Sequence, residues 1–231
     1  MFEFLRRKKK KAIIVAIHGF GQRRSDQFLS LVRYFKDKGI EVRTPDLFDA
    51  NDLNDTDYLE WIKRAEIVVD QALHENKEVI LLGYSMGGVI ASSLASRKPI
   101  SKLILLAPAF TYITWKNVSN TVAKLFDSNT PKIEALPSQY TELPNIFTNT
   151  FMTLVDTLKN DITQVSCPIL IFHGMDDETI PYASSRRILQ KINHKNRALI
   201  LLNEVGHKLL DNDLNYKIIL ETTHSFIENK L

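Results

Sequence analysis

The stretch Val79-Ile80-Leu81-Leu82-Gly83-Tyr84-Ser85-Met86-Gly87-Gly88 joins an apolar run to a helical one that continues to Ala95. Residues 83–87 read G-x-S-x-G. A strand that turns sharply into a helix through a serine, with glycines two positions to either side, is the layout of a nucleophile elbow. The glycines have a steric purpose, because bulky side chains there would collide with the neighbouring strand and helix. The serine is left with strained backbone angles and an accessible oxygen. The helix behind it directs its free N–H groups toward whatever that oxygen attacks. On its own the pentapeptide also fits a Gly-rich turn between a buried strand and a helix, so its meaning depends on what surrounds it.

Upstream, Ala12–Ile17 has the pattern of a buried strand and ends in His18-Gly19-Phe20-Gly21. In acyl transfer the carbonyl oxygen becomes an anion, and losing one preorganised N–H donor to it costs roughly 10²–10³ in rate. A glycine-containing loop at the end of a neighbouring strand can supply one donor, the N–H of Phe20. The N–H of Met86, just after the serine, would supply the other. The same glycines also fit a simple turn into the helix near Phe28.

Downstream, Ile169-Leu170-Ile171-Phe172 forms a further buried strand, followed by His173-Gly174-Met175-Asp176-Asp177-Glu178-Thr179-Ile180-Pro181. A helix, a strand near 198–202 and Glu204-Val205-Gly206-His207 come next. An acid after one strand and a histidine after the next give the order serine, acid, histidine, which is the α/β-hydrolase order. On spacing within the chain both Asp176 and Asp177 are available as the acid.

Taken together, the motifs H-G-F-G, G-Y-S-M-G-G, H-G-x-x-D-x-x-I-P and G-H resemble those of small single-domain α/β-hydrolases of the bacterial carboxylesterase and monoacylglycerol-lipase type (serine aminopeptidase S33, hydrolase-4 like). The likeness spans residues 12 to 230. It implies Ser85 as nucleophile, Asp177 as acid and His207 as base, with oxyanion donors from Phe20 and Met86. Family spacing selects Asp177 over Asp176, leaving Asp176 to face solvent or to cap the helix that starts near Pro181. His173 is expected to be a structural hydrogen-bonding residue, and His18 to shape the active-site loop. His194 lies in a basic loop and His224 on the last helix, where surface or packing roles are ordinary. The chain departs from larger members in two ways. Its leader is too short for two extra N-terminal strands, and its oxyanion loop is H-G-F-G rather than H-G-G-G, as in the simpler lipase-like branch.

Composition agrees with this reading. The 231 residues are 44% hydrophobic and 25% charged, ordinary globular values that suit a single domain with a substantial core. Residues 1–11 hold six cations against Glu3, a net +5, so the other 220 residues carry −2 of the chain's +3. This basic leader is expected to be a solvated tip rather than a binder of lipid or nucleic acid. The apolar run behind it has only six residues, short of a signal peptide's 7–15. No stretch approaches the roughly 18–20 apolar residues of a membrane span, so cytoplasmic residence is expected, without membrane insertion. The single cysteine, Cys167, reads as a buried thiol. No Cys/His cluster suggests zinc, and the chemistry implied needs neither metal nor organic cofactor. Asp46, Asp49, Asp52, Asp55 and Asp57 lack the glycine and terminal glutamate of a calcium loop. They are expected to form a solvated loop that caps the next helix at Asp55 or Thr56.

Strands are expected at 12–17, 40–44, 78–83, 102–107, 168–173 and 198–202, and helices at 25–38, 56–75, 86–97, 182–192 and 213–229. This alternation predicts a three-layer α/β/α fold with a mostly parallel sheet of about six strands. The family order would set 12–17 between 40–44 and 78–83. In the second helix, Leu59, Ile62, Ile67 with Val69, and Ala72 with Leu73 make the expected buried stripe. Residues 109–163 are too long for a simple connection and are expected to form a small helical cap. One face would carry Trp115, Val118, Val122, Leu125 and Phe126, the other Phe147, Phe151, Leu154, Val155 and Leu158. Phe110, Tyr112, Trp115, Tyr140, Phe147 and Phe151 are candidate lining for an acyl pocket, with at least half of them packing residues; Tyr112 and Trp115 are the candidate substrate contacts. The expected activity is hydrolysis of small carboxylic esters, of short or medium acyl chain or monoacylglycerol. Amide, peptide or thioester hydrolysis, a lyase or cofactor-free haloperoxidase, and a non-catalytic binding protein on the same scaffold are the alternatives.

Overall fold

The computed structural model describes residues 10–21, 24–111, 145–211 and 213–231. Six strands are present: β1 (Ala12–Ile17), β2 (Glu41–Arg43), β3 (Glu78–Tyr84), β4 (Lys102–Leu106), β5 (Ile169–Gly174) and β6 (Arg197–Leu202). They lie in the order β2-β1-β3-β4-β5-β6, and every neighbouring pair is parallel. The expected place of β1 between β2 and β3 is therefore observed.

The helices are α1 (Leu29–Asp37), α2 (Tyr58–His74), α3 (Met86–Arg97), α4 (Asn145–Leu158), α5 (Ala183–Lys191) and α6 (Asp213–Ile227), with short 3-10 turns at Arg24–Phe28 and Asp161–Gln164. The helix expected from residue 25 therefore starts as a 3-10 turn and becomes α-helical only at Leu29.

The apolar runs of the strands divide by alternation between the two faces of the sheet. Ile13, Val15, Ile17, Leu81, Leu103, Leu105, Ile169 and Ile171 pack with residues of α2, α3, α4 and α5. Ile14, Ala16, Ile80, Leu82, Ile104, Leu106, Leu170 and Phe172 pack with residues of α1 and α6. Burial on both faces explains why these strands read as continuous apolar runs rather than alternating ones.

Two local expectations need correction. The buried side of α2 is Trp61, Ile62, Ala65, Val69 and Ala72, while Leu59 and Ile67 are exposed. Trp61 displaces the expected stripe because its ring completes an aromatic layer with Phe48 (4.7 Å between centroids) and Phe147 (5.9 Å, stacked). Its indole N–H also donates to the Asp55 carbonyl at 3.0 Å. The cap of α2 is Asp57, whose side chain accepts from the Leu59 N–H, rather than Asp55 or Thr56. Asp55 instead accepts from Arg64 at 2.6 Å and from the Asp49 N–H at 2.7 Å. Arg64 also donates to the Leu47 carbonyl. The acid-rich loop is thus tied to α2 through one guanidinium.

Phe147, Phe151, Leu154 and Val155 form the buried face of α4 as expected, and Leu158 packs partly buried at its end. Phe110, Phe147 and Phe151 all belong to the core on the α2/α3 side, a packing role. Tyr112, Trp115 and Tyr140, with the face built on Val118, Val122, Leu125 and Phe126, lie outside the described residues. Cys167 is buried, and burial pushes its thiol up to about 11. No helix among the described residues is long and apolar enough to cross a membrane.

Trp61 is fully buried, so Trp61→Ala is predicted to lower unfolding free energy by about 3–5 kcal/mol. Denaturant midpoints check this, and a loss under about 1 kcal/mol would contradict the packing described.

Candidate active site

The parallel register brings five strand ends to one edge, where open α/β sheets bind ligands. Ile17 lies opposite Gly83, Tyr84 opposite Leu106, and Gly174 opposite Leu202. Ser85 follows β3 with φ 52° and ψ −116°, a left-handed conformation that non-glycine residues rarely adopt. It is held there at both ends of its main chain. The N–H donates to the Leu106 carbonyl at 2.9 Å, and the carbonyl accepts from Gly88 (2.9 Å) and Ala109 (3.1 Å).

The flanking glycines have the steric purpose expected of them. A Cβ at Gly87 would collide with the Ile17 carbonyl, and one at Gly83 with the Gly87 carbonyl. A Cβ on Gly19 would sit 3.2 Å from that of Ser85, so the H-G-F-G loop runs directly beside the serine. His18 fixes that loop. Its Nε2 accepts from the Leu47 N–H at 2.9 Å, which leaves the proton on Nδ1, 2.7 Å from the Gly19 carbonyl. The Phe20 ring stacks on Phe151 at 5.2 Å, anchoring the residue whose N–H is the candidate donor. Met86 is the buried first residue of α3, where a backbone N–H has no acceptor within the helix.

The acid and the imidazole come together through two loops that are hydrogen-bonded to each other. Met175 N–H donates to the Leu202 carbonyl (2.8 Å), and Asp176 N–H to that of Val205 (3.0 Å). The approach is so close that a Cβ at Gly174 would strike the Val205 carbonyl. Asp177 Oδ2 lies 2.7 Å from His207 Nδ1, while Oδ1 accepts the N–H groups of Thr179 (2.9 Å) and Ile180 (2.8 Å). Asp176 is exposed, as expected of it. His207 Nε2 is buried and has no hydrogen-bond partner among the described residues.

Burial alone would raise the carboxyl pKa of Asp177. Hydrogen bonds from His173 and His207, the charge of His207 and the Ile180 N–H outweigh it and hold the group well below the usual carboxylate range.

Tyr84 was not singled out by sequence reasoning. Its hydroxyl donates to the His207 carbonyl at 2.7 Å, and its ring lies 5.5 Å from the imidazole. The residue before the serine thus holds the histidine loop. The signal available was an aromatic at the second position of G-x-S-x-G. Of the other histidines, His173 is fully buried and bonded within the acid loop, and His224 packs edge-on to Tyr34 and Phe35. His194 lies where the main chain accepts from Arg197. The candidate substrate contacts Tyr112 and Trp115 fall outside the described residues. Among the described residues no group of three His, Cys, Asp or Glu is arranged to hold a metal ion.

A six-stranded parallel sheet with a serine at positive φ after its third strand defines the α/β-hydrolase class. Residues 8–144 and 140–215 match the serine aminopeptidase S33 model (Hydrolase_4), and the chain belongs to that family. A Mycoplasma genitalium protein provisionally named esterase/lipase 2 is 27% identical over 96% of this chain and 91% of its own length. A solved structure from the metagenome-derived lipolytic enzymes LipS and LipT superposes with TM-score 0.76 at 20% identity, covering 96% of this chain and 94% of that one. The Paleococcus ferrophilus monoacylglycerol lipase superposes with TM-score 0.71 at 14% identity, over 96% and 97% of the two chains. At these identities the structural likeness concerns the fold.

The depressed carboxyl of Asp177 carries a sign for stability. An unfolded aspartate titrates near about 3.9, so the folded chain binds fewer protons and stability rises with pH. The contribution is complete above the unfolded value and is lost as pH falls through it toward the folded one. The stability gap between the parent and Asp177→Asn is therefore predicted to narrow as pH falls from about 6 to about 3. Denaturant midpoints across that range check it, and a pH-independent gap would contradict it.

Proposed function

We propose that this protein is a serine hydrolase that cleaves carboxylic esters through Ser85, His207 and Asp177. The observation that carries this reading is the 2.7 Å contact between His207 Nδ1 and the buried Asp177 carboxyl. With Nδ1 donating to the carboxylate, the imidazole leaves Nε2 as the free base, and this nitrogen has no hydrogen-bond partner among the described residues. Tyr84, the residue before Ser85, supports the reading through its hydroxyl on the His207 carbonyl and its ring 5.5 Å from the imidazole.

In this mechanism His207 Nε2 takes the proton of the Ser85 hydroxyl as its oxygen attacks the ester carbonyl carbon. Asp177 fixes the imidazole tautomer and stabilises the imidazolium without itself taking the proton. The N–H groups of Phe20 and Met86 receive the oxyanion of the tetrahedral intermediate. Collapse of that intermediate expels the alcohol, which leaves with the proton held on His207. Water then attacks the acyl-enzyme by the same route and releases the carboxylic acid.

The substrate assigned is a small ester of short or medium acyl chain, or a monoacylglycerol. The names of the Mycoplasma genitalium relative and the Paleococcus ferrophilus lipase support this class. Residues 109–163 are assigned as a cap on a single hydrolase domain, with Tyr112 and Trp115 contacting the acyl chain. The family's description as an aminopeptidase favours one second reading, hydrolysis of an amide bond by the same residues. Parallel assays on p-nitrophenyl esters and aminoacyl arylamides separate the two.

Ser85→Ala is predicted to lower kcat on p-nitrophenyl butyrate by about 10⁶, the scale on which loss of a serine nucleophile acts. It is also predicted to abolish labelling by a fluorophosphonate while leaving the unfolding midpoint within about 1 kcal/mol of the parent. Parental turnover by the purified variant would overturn the proposal.

A further inference from the structure

His173 is a buried imidazole that the proposed cycle does not use. It is the penultimate residue of β5, with no exposed surface, four residues before Asp177. Its Nε2 lies 2.7 Å from the Ile180 carbonyl and 3.1 Å from Asp177 Oδ2. Both neighbours are acceptors, so this nitrogen carries a proton shared between them. Its Nδ1 lies 2.7 Å from Ser185 Oγ on α5. Ser185 is also fully buried, and its hydroxyl has no other partner among the described residues. An Nδ1 that accepts from Ser185 satisfies both atoms. An Nδ1 that donated would leave the serine hydrogen without an acceptor, at the usual cost of a buried unmade bond. The contacts therefore select the neutral Nε2–H tautomer.

The consequence falls on Asp177. Its two oxygens receive four donors: two backbone N–H groups on Oδ1, and two imidazoles of different kinds on Oδ2. In the proposed cycle His207 gains and loses a proton, whereas His173 keeps one tautomer. We propose that His173, its tautomer set by Ser185, is a positioning residue that holds the Asp177 carboxylate toward His207 and limits how strongly that carboxylate draws the His207 proton. This rests on the triad reading above and deepens it.

The physical argument concerns a shared acceptor. An oxygen that receives two hydrogen bonds is less basic toward each than one that receives a single bond. Without the His173 N–H, Asp177 Oδ2 would stabilise the His207 imidazolium more. The neutral base would then appear only at higher pH. The carboxylate would also lose one of the contacts that fix its rotamer, so alignment of the imidazole with Ser85 would loosen. Among the described residues the titratable groups facing His173 are few. Asp177 faces it directly, and His207 faces it through Asp177. Across the sheet its register partner is Leu201 on β6, and α5 presents the Ser185 hydroxyl.

The test compares His173→Leu, His173→Gln and Ser185→Ala with the parent on p-nitrophenyl butyrate from pH 5 to 9. His173→Leu removes the donor at similar volume, while His173→Gln keeps an N–H near the Nε2 position. For His173→Leu the expected result is a 10- to 100-fold fall in kcat with KM changed less than about threefold, and an acid limb of the kcat profile displaced to higher pH. His173→Gln should recover at least tenfold of that loss and return the limb toward its parental position. Ser185→Ala, which frees the tautomer but keeps the imidazole, should fall between them. A folded His173→Leu variant with parental kcat and acid limb would overturn the inference, as would His173→Gln matching His173→Leu in both. If His173→Leu fails to fold, Ser185→Ala with a parental profile overturns it instead. Ser85→Ala and His207→Ala run in the same series separate the two levels. If both abolish turnover while the His173 and Ser185 variants change nothing, this inference fails and the triad stands. If Ser85→Ala or His207→Ala keeps turnover, the triad reading itself fails.

Discussion

The close approach of β1 to the turn after β3 is the constraint on which the site depends. With Gly87 beneath the Ile17 carbonyl and Gly83 beneath Gly87, the chain has no room to relax Ser85 into an ordinary conformation. Its positive φ is a cost of order 1–3 kcal/mol for a non-glycine residue. Three main-chain hydrogen bonds, to Leu106, Gly88 and Ala109, and a sheet buried on both faces hold it there. The same tightness sets the H-G-F-G loop against the serine, where a Cβ on Gly19 would lie 3.2 Å from both the Ser85 Cβ and the Tyr84 carbonyl. The serine and the candidate oxyanion loop are thus positioned by one packing event between two adjacent strands.

Asp177 and His207 are positioned by a second event of the same kind two strands away. Gly174 lets the loop after β5 lie against the loop after β6, and paired backbone hydrogen bonds lock the two loops together. The short Asp177–His207 contact follows from that pairing. Tyr84 then ties the two halves of the site. It precedes the serine in sequence, yet its hydroxyl bonds the main chain of His207, 123 residues further on. The sheet therefore acts as a rigid frame, and the candidate site sits on short loops whose freedom has been removed by glycine contacts and hydrogen bonds.

Much of this was legible in the sequence for physical reasons. Strands buried on both faces leave unbroken apolar runs, so all six strands were found within a residue or two of their observed ends. The glycines of the elbow announced themselves because no other residue fits there. Spacing within the chain left Asp176 and Asp177 open, and only the family resemblance chose between them, while His18 and His173 were readable as structural from their place at strand ends. What was missed depends on partners that lie far off in the chain. The buried side of α2 turned on Trp61, whose neighbours Phe48 and Phe147 come from a loop and from α4. The Asp57 cap was hidden among five aspartates with equal local claims; Arg64 decided the matter by drawing Asp55 away. The 3-10 turn before α1 and the reach of Tyr84 to His207 left no periodic trace at all.

The most direct measurement of the central claim is a crystal structure of the protein treated with an alkyl p-nitrophenyl phosphonate, whose adduct mimics the tetrahedral intermediate. The account predicts phosphorus bonded to Ser85 Oγ and the phosphoryl oxygen about 2.7–3.1 Å from the N–H groups of both Phe20 and Met86. It further predicts His207 Nε2 within hydrogen-bond reach of the Ser85 oxygen. An adduct on a different residue, or one whose phosphoryl oxygen points away from both N–H groups, would contradict it.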